Sequence, residues 1–264
     1  MTRRSMWRRT IFGVAVLGGL LSVAGQAFAE EEGFYVTASY LPTFTDATDF
    51  EIGAKPAKVG DFKANRGGNG AFEVGLLGLR AAAGYMFGFL RIEGEVSYRQ
   101  LKLTDYEYTS YTFQKKTLTG AALDSLNKSI EVESGGLQAL SLMANTWYDL
   151  DTGSAFVPYI GFGIGAGQIT LATEAKNKPF MLGGRPAGAR SQKFPASSGW
   201  AFAYQIGAGL GYELGGGLIA SAGYRMSGTT TVEVAWNAKN SSTDEVLRAA
   251  SLLHGIELGI RYQF

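Results

Sequence analysis

Residues 90–99 read LRIEGEVSYR, and the alternation is strict. Leu90, Ile92, Gly94, Val96 and Tyr98 fall on one face of an extended strand, and Arg91, Glu93, Glu95, Ser97 and Arg99 fall on the other. The strand therefore has an apolar side and a side carrying charges of both signs. A soluble sandwich or lipocalin-like barrel would bury the apolar row and show the charges to water. A barrel in lipid does the reverse, and alternation by itself does not choose between them.

The pattern recurs to a total of eight stretches. Toward the N-terminus, Phe34, Val36, Ala38 and Tyr40 oppose Tyr35, Thr37 and Ser39, while Leu77, Leu79, Ala81, Ala83 and Tyr85 oppose Gly78, Arg80, Ala82 and Gly84. Toward the C-terminus, Leu140, Leu142, Ala144 and Tyr148 oppose Ser141, Met143 and Asn145, and Ile160, Phe162, Ile164 and Ala166 oppose a row of glycines. The last three apolar rows run from Phe202 to Tyr212, from Leu218 to Met226 and from Ile256 to Phe264. Short connections occur near Gly88, at 151–155 (DTGSA) and at 214–217 (LGGG); long ones span about 43–71, 104–135, 172–198 and 228–251. Tight turns at one end and long loops at the other predict an all-β, eight-stranded antiparallel up-and-down transmembrane β-barrel, with its turns periplasmic and its four loops extracellular.

Three features favour lipid over water outside. Tyr40, Tyr85, Tyr98, Tyr148, Tyr212, Tyr224 and Tyr262 end apolar rows, where aromatic girdles meet headgroups. The opposite face mixes glycine with both signs of charge, which suits a tight lumen. The chain also stops on a strand whose last side chain, Phe264, still keeps the alternation, as the closing seam of a barrel requires.

With the apolar rows outside, the expected inward charges are Arg80, Arg91, Glu93, Glu95, Arg99, Glu213, Arg225, Glu257 and Arg261, five positive and four negative. Unpaired buried charge is costly, so these should pair as a plug. Eight strands leave an interior only about wide enough for side chains. An ion or proton path through the same groups is the alternative.

The first 29 residues have arginines, then an apolar run from Ile11 to about Ala24, then Ala27-Phe28-Ala29, the form of a cleaved secretory signal. Residues 30–264 then form the barrel, with 20 basic and 23 acidic residues and a net charge of −3. Nucleic acid is excluded as a partner on that balance. Cysteine is absent, which excludes thiolate metal sites and cysteine catalysis, and no acidic spacing fits a calcium loop, so no cofactor is expected. His254 is the sole histidine; Ser251, three residues away, points to the other face, so no nucleophile–base pair forms and no enzyme activity is expected.

Two loop features complete the reading. Ser242 precedes Glu245 at capping-box spacing, predicting a short helix in the last loop. Lys176, Lys178, Arg185, Arg190 and Lys193 outnumber Glu174 in the third loop, a basic cluster suited to anionic lipopolysaccharide or a host surface.

The segments GYMFGFLRIEGEVSYRQLKL, LSLMANTWYDL followed by PYIGFGIGAG, and the closing HGIELGIRYQF resemble, in order and spacing, the rickettsial surface-antigen family of outer-membrane proteins. The opening GFYVTASYLPTF is similar to that family's first strand. The resemblance implies an eight-stranded outer-membrane barrel related to the OmpA-type and opacity-protein barrels. It implies a structural or surface-antigen role with weak porin activity; adhesion to a host receptor or lipopolysaccharide through the loops is the alternative. Glu257, Gly259, Tyr262 and Phe264 also resemble the signal read by the outer-membrane assembly machinery.

Overall fold

The computed structural model describes residues 32–45, 48–54, 64–113, 116–177, 180–182, 185–187, 190–235 and 245–264. The expected signal segment and Ser242 lie outside these. Eight strands make the wall: β1 (Gly33–Tyr40), β2 (Leu77–Phe87), β3 (Leu90–Phe113), β4 (Ile130–Asp149), β5 (Phe156–Asn177), β6 (Arg190–Gly215), β7 (Leu218–Thr229) and β8 (Leu252–Gln263). Each pairs antiparallel with its chain neighbour. The ring closes where β1 meets β8, from Tyr35 opposite Gln263 to Tyr40 opposite Leu258. The Phe264 N–H extends that seam by donating to the Phe34 carbonyl at 2.9 Å.

The side chains decide which face is which. Phe34, Ile92, Phe162, Ile206 and Ile260 stand exposed on the outer surface, whereas Arg80, Glu93, Glu95, Arg225 and Glu257 are buried inside. So large an exposed apolar surface needs lipid around it. Aromatic pairs ring the turn end: Phe34 with Tyr85, Phe89 with Tyr148, Phe156 with Tyr212 and Tyr262 with Phe264, centroids 4.9–5.1 Å apart. There the β6–β7 turn uses Gly215, Gly216 and Gly217, all at positive φ, a region side chains rarely adopt.

Strands β3 to β6 run 20–26 residues, about twice what a membrane crossing needs. Their surplus length projects beyond the loop end, and short strands fold onto it. Val232–Ala235, Glu245–Ala249, Thr48–Ala54 and Ala64–Phe72 pair in that order and join β3. The helix expected in the last loop is therefore corrected: Glu245–Ala249 is a strand held by partners on both sides, which outweighs its local helical tendency. A helix, α1 (Ala121–Ser129), forms instead in the second loop, where Asn127 bonds both the N–H and the C=O of Tyr108 at 3.0 and 2.9 Å.

The loop end has its own apolar core. Inward residues of the extended wall (Leu101, Leu137, Ile169, Leu253) meet Ile52, Val232, Val234 and Leu247 from the loop strands. A polar layer thus fills the lumen toward the turns and an apolar layer fills it toward the loops.

Candidate functional site

The strand register builds the polar layer. Arg80 on β2 lies opposite Ser39 on β1 and Ser97 on β3. From there its Nε reaches Glu95 Oε2 at 2.8 Å, Nη1 reaches Glu257 Oε1 at 3.0 Å, and Nη2 bonds Glu93. Arg225, on the far wall, donates from Nη1 to Glu95 Oε2 at 3.1 Å and from Nε to Glu257. Its guanidinium also sits 4.4 Å from the Trp147 ring centre.

Neutral donors complete the carboxylates' shells. Tyr35 Oη donates to Glu93 Oε2 at 3.0 Å, Trp147 Nε1 to Glu93 Oε1 at 2.8 Å, and Ser39 to Glu257 at 2.7 Å. Asn145 donates to Glu93 and Glu95, and Gln205 to Glu95 and to Asn145 Oδ1. Glycine faces make room for these groups: a Cβ on Gly161 would lie 2.3 Å from the Trp147 ring, and one on Gly163 would lie 1.9 Å from Asn145 Oδ1.

Nearer the turns, Asp149 holds two arginines. Arg91 Nη2 approaches one oxygen at 2.7 Å and Arg261 Nη1 the other at 2.8 Å. Asp149 was missing from the expected lumen set, although it continues the inward parity of Asn145 and Trp147 along β4. Glu213 is the correction in the other direction: it is exposed, because it sits at the last regular pair before a bulge to Gly215, where the wall ends.

Arg99 departs from the expected pairing as well. It is buried, donates only to Ser227, and leaves Nε and Nη2 without a protein partner. It sits beside the apolar layer, where no described carboxylate stands within 4.0 Å.

The four C-terminal positions divide by face. Glu257 belongs to the buried layer and Gly259 gives way to Ser39 and Ser221, while Tyr262 and Phe264 point outward. Of the basic loop, Lys176, Arg185, Arg190 and Lys193 lie on strand backbone with side chains outside the described residues, and Lys178 is outside them altogether. His254 faces outward against Phe44 and Tyr224, while Ser251 is buried and bonds Thr229 at 3.0 Å, so the two point apart. Among the described residues no group of three His, Cys, Asp or Glu side chains is placed to hold a metal.

The sequence profile described as surface antigen matches residues 28–264. Outer membrane protein P.IIC of Neisseria gonorrhoeae is 26% identical over 200 residues, 70% of this chain and 71% of that protein. Among solved structures, the outer membrane protein OprG of Pseudomonas aeruginosa is 14% identical, with 89% of this chain and 99% of that one covered and a TM-score of 0.47. Neisserial surface protein A is 18% identical, with 89% and 100% covered and a TM-score of 0.38.

Proposed function

Since the chain belongs to the surface antigen family of bacterial outer-membrane barrels, we propose that it is a closed structural wall that displays a folded loop platform outside the cell. One observation carries this reading. Arg80 and Arg225, from opposite sides of the lumen, converge on Glu95 and Glu257, and an apolar core covers that layer at the loop end. Ions cross only if both layers part at once, so pore activity is at most rare and brief. Contact with a host surface or lipopolysaccharide is the second reading. It is favoured by the pairing of loop strands into one sheet, with Glu51, Arg248 and Glu233 adjacent across it.

Planar-bilayer recording of the purified protein tests the closed wall. The expected trace is flat, with occasional brief openings. A steady ohmic conductance with each insertion would overturn the proposal.

A further inference from the structure

An internal cavity of about 30 Å³ lies within the turn-side half of the lumen. That volume admits about two waters or one ion of comparable size. Its lining includes four arginines, Arg80, Arg91, Arg225 and Arg261, but only one carboxylate, Glu257. The Glu257 oxygens already accept from Ser39, Arg80 and Arg225.

Three of the lining residues each carry a polar atom with no protein hydrogen-bond partner: Thr37 Oγ1, Arg91 Nε and Arg261 Nε. All three residues are more than nine-tenths buried. The two Nε–H groups can only donate, and the hydroxyl can. Leaving buried donors unmade costs about 1–3 kcal/mol each, more for charged groups. Arg91 and Arg261 also share the single carboxylate of Asp149, so that trio keeps one positive charge. The adjoining layer of two arginines and three glutamates offsets it, and Arg99 brings the described lumen to five positive against four negative groups.

We propose that this cavity binds one small monovalent anion, of about chloride's size. The anion accepts from Thr37 Oγ1 and the two Nε–H groups, beside the positive charge that Arg91 and Arg261 keep over their shared Asp149. It enters from the turn end, where an open vestibule shares Val157, Ile219 and Arg261 with the cavity wall. The apolar layer closes the loop end to it.

The test is the thermal unfolding midpoint of the full-length folded protein in detergent micelles. Sodium chloride is titrated against sodium gluconate at constant ionic strength, with bromide as a parallel series. The midpoint should rise saturably with chloride and bromide and stay level in gluconate. Thr37→Val removes a hydroxyl with no protein partner, so in gluconate it should be at least as stable as the native chain, while its chloride affinity falls about tenfold. Arg261→Gln should abolish the chloride response. Crystals soaked in bromide provide a measurement independent of either variant, with an anomalous peak expected between Thr37, Arg91 and Arg261. A midpoint insensitive to anion identity, an unchanged chloride response in Thr37→Val, or bromide density absent from the cavity would each overturn the site and leave it to water.

Discussion

Arg80 Nη1 lies 3.0 Å from Glu257 Oε1 although their strands, β2 and β8, are not neighbours. β1 runs between them, paired to both. The contact reaches behind the closing strand and ties its two partners together inside the lumen. Replacing Arg80 by Met leaves Glu95 and Glu257 with Arg225 as their contact cation, and leaves Glu93 with only the neutral donors Tyr35, Asn145 and Trp147. Removing one partner of a buried pair costs about 3–5 kcal/mol, so urea unfolding in micelles should show a loss of that size. Arg80→Lys should lose nearly as much, because a point charge does not reproduce three directed contacts. A midpoint within error of the native chain would show the network to be dispensable.

Gly163 is a matter of volume. Its inward face is occupied by Asn145 Oδ1. Gly163→Val should therefore destabilise by about 1–3 kcal/mol through overpacking. Adding Asn145→Ala to the same chain should recover part of that loss. If the double variant is no better than the sum of the two, contact with Asn145 is not the cause.

The loop-end core should fail separately from the wall below it. Leu247 is buried among Ile52, Val234 and Leu101, away from the polar layer. Leu247→Asp puts an unpaired charge there and should open the loop strands to proteases while the wall stays folded. The expected pattern is faster nicking within the loops, together with an unchanged shift between boiled and unboiled samples on an SDS gel. Loss of the unboiled band would mean that the two layers unfold as one.

Phe264 is exposed, and its backbone makes a single added seam bond. Deleting it should lower the amount of protein delivered to the outer membrane several-fold while the unfolding midpoint of refolded protein shifts by about 1 kcal/mol or less. Native surface levels of the truncated chain would remove the terminal aromatic from the assembly signal.

Much of the wall was legible because a strand's two faces repeat every second residue, and lipid on one side with side chains packed on the other makes the faces chemically unlike. The inward places of Arg80, Glu93 and Glu257 followed from parity once the tyrosine row ends, the glycine-and-charge face and the closing strand had set which face meets lipid. Asp149 was lost because its row was read no further than Asn145. Glu213 was misplaced because parity says nothing about where a wall ends. The pairing of Arg99 could not be read from charge balance, since a count of signs does not give distances. The loop strands were illegible for a different reason. Val246 and Leu247 are both buried, which breaks the two-residue period, and their extended shape is set by partners from a loop nearly two hundred residues earlier.

That loop sheet also changes what an immune system can recognise. Glu233, Arg248 and Glu51 are neighbours across three strands drawn from two distant loops, and Arg248 bonds Glu233 directly. Antibodies raised against the folded protein should include some whose epitope is assembled from both loops, with binding lost to either loop as a free peptide and after boiling. Substitution in one loop is then enough to erase a determinant that the other loop helps to form.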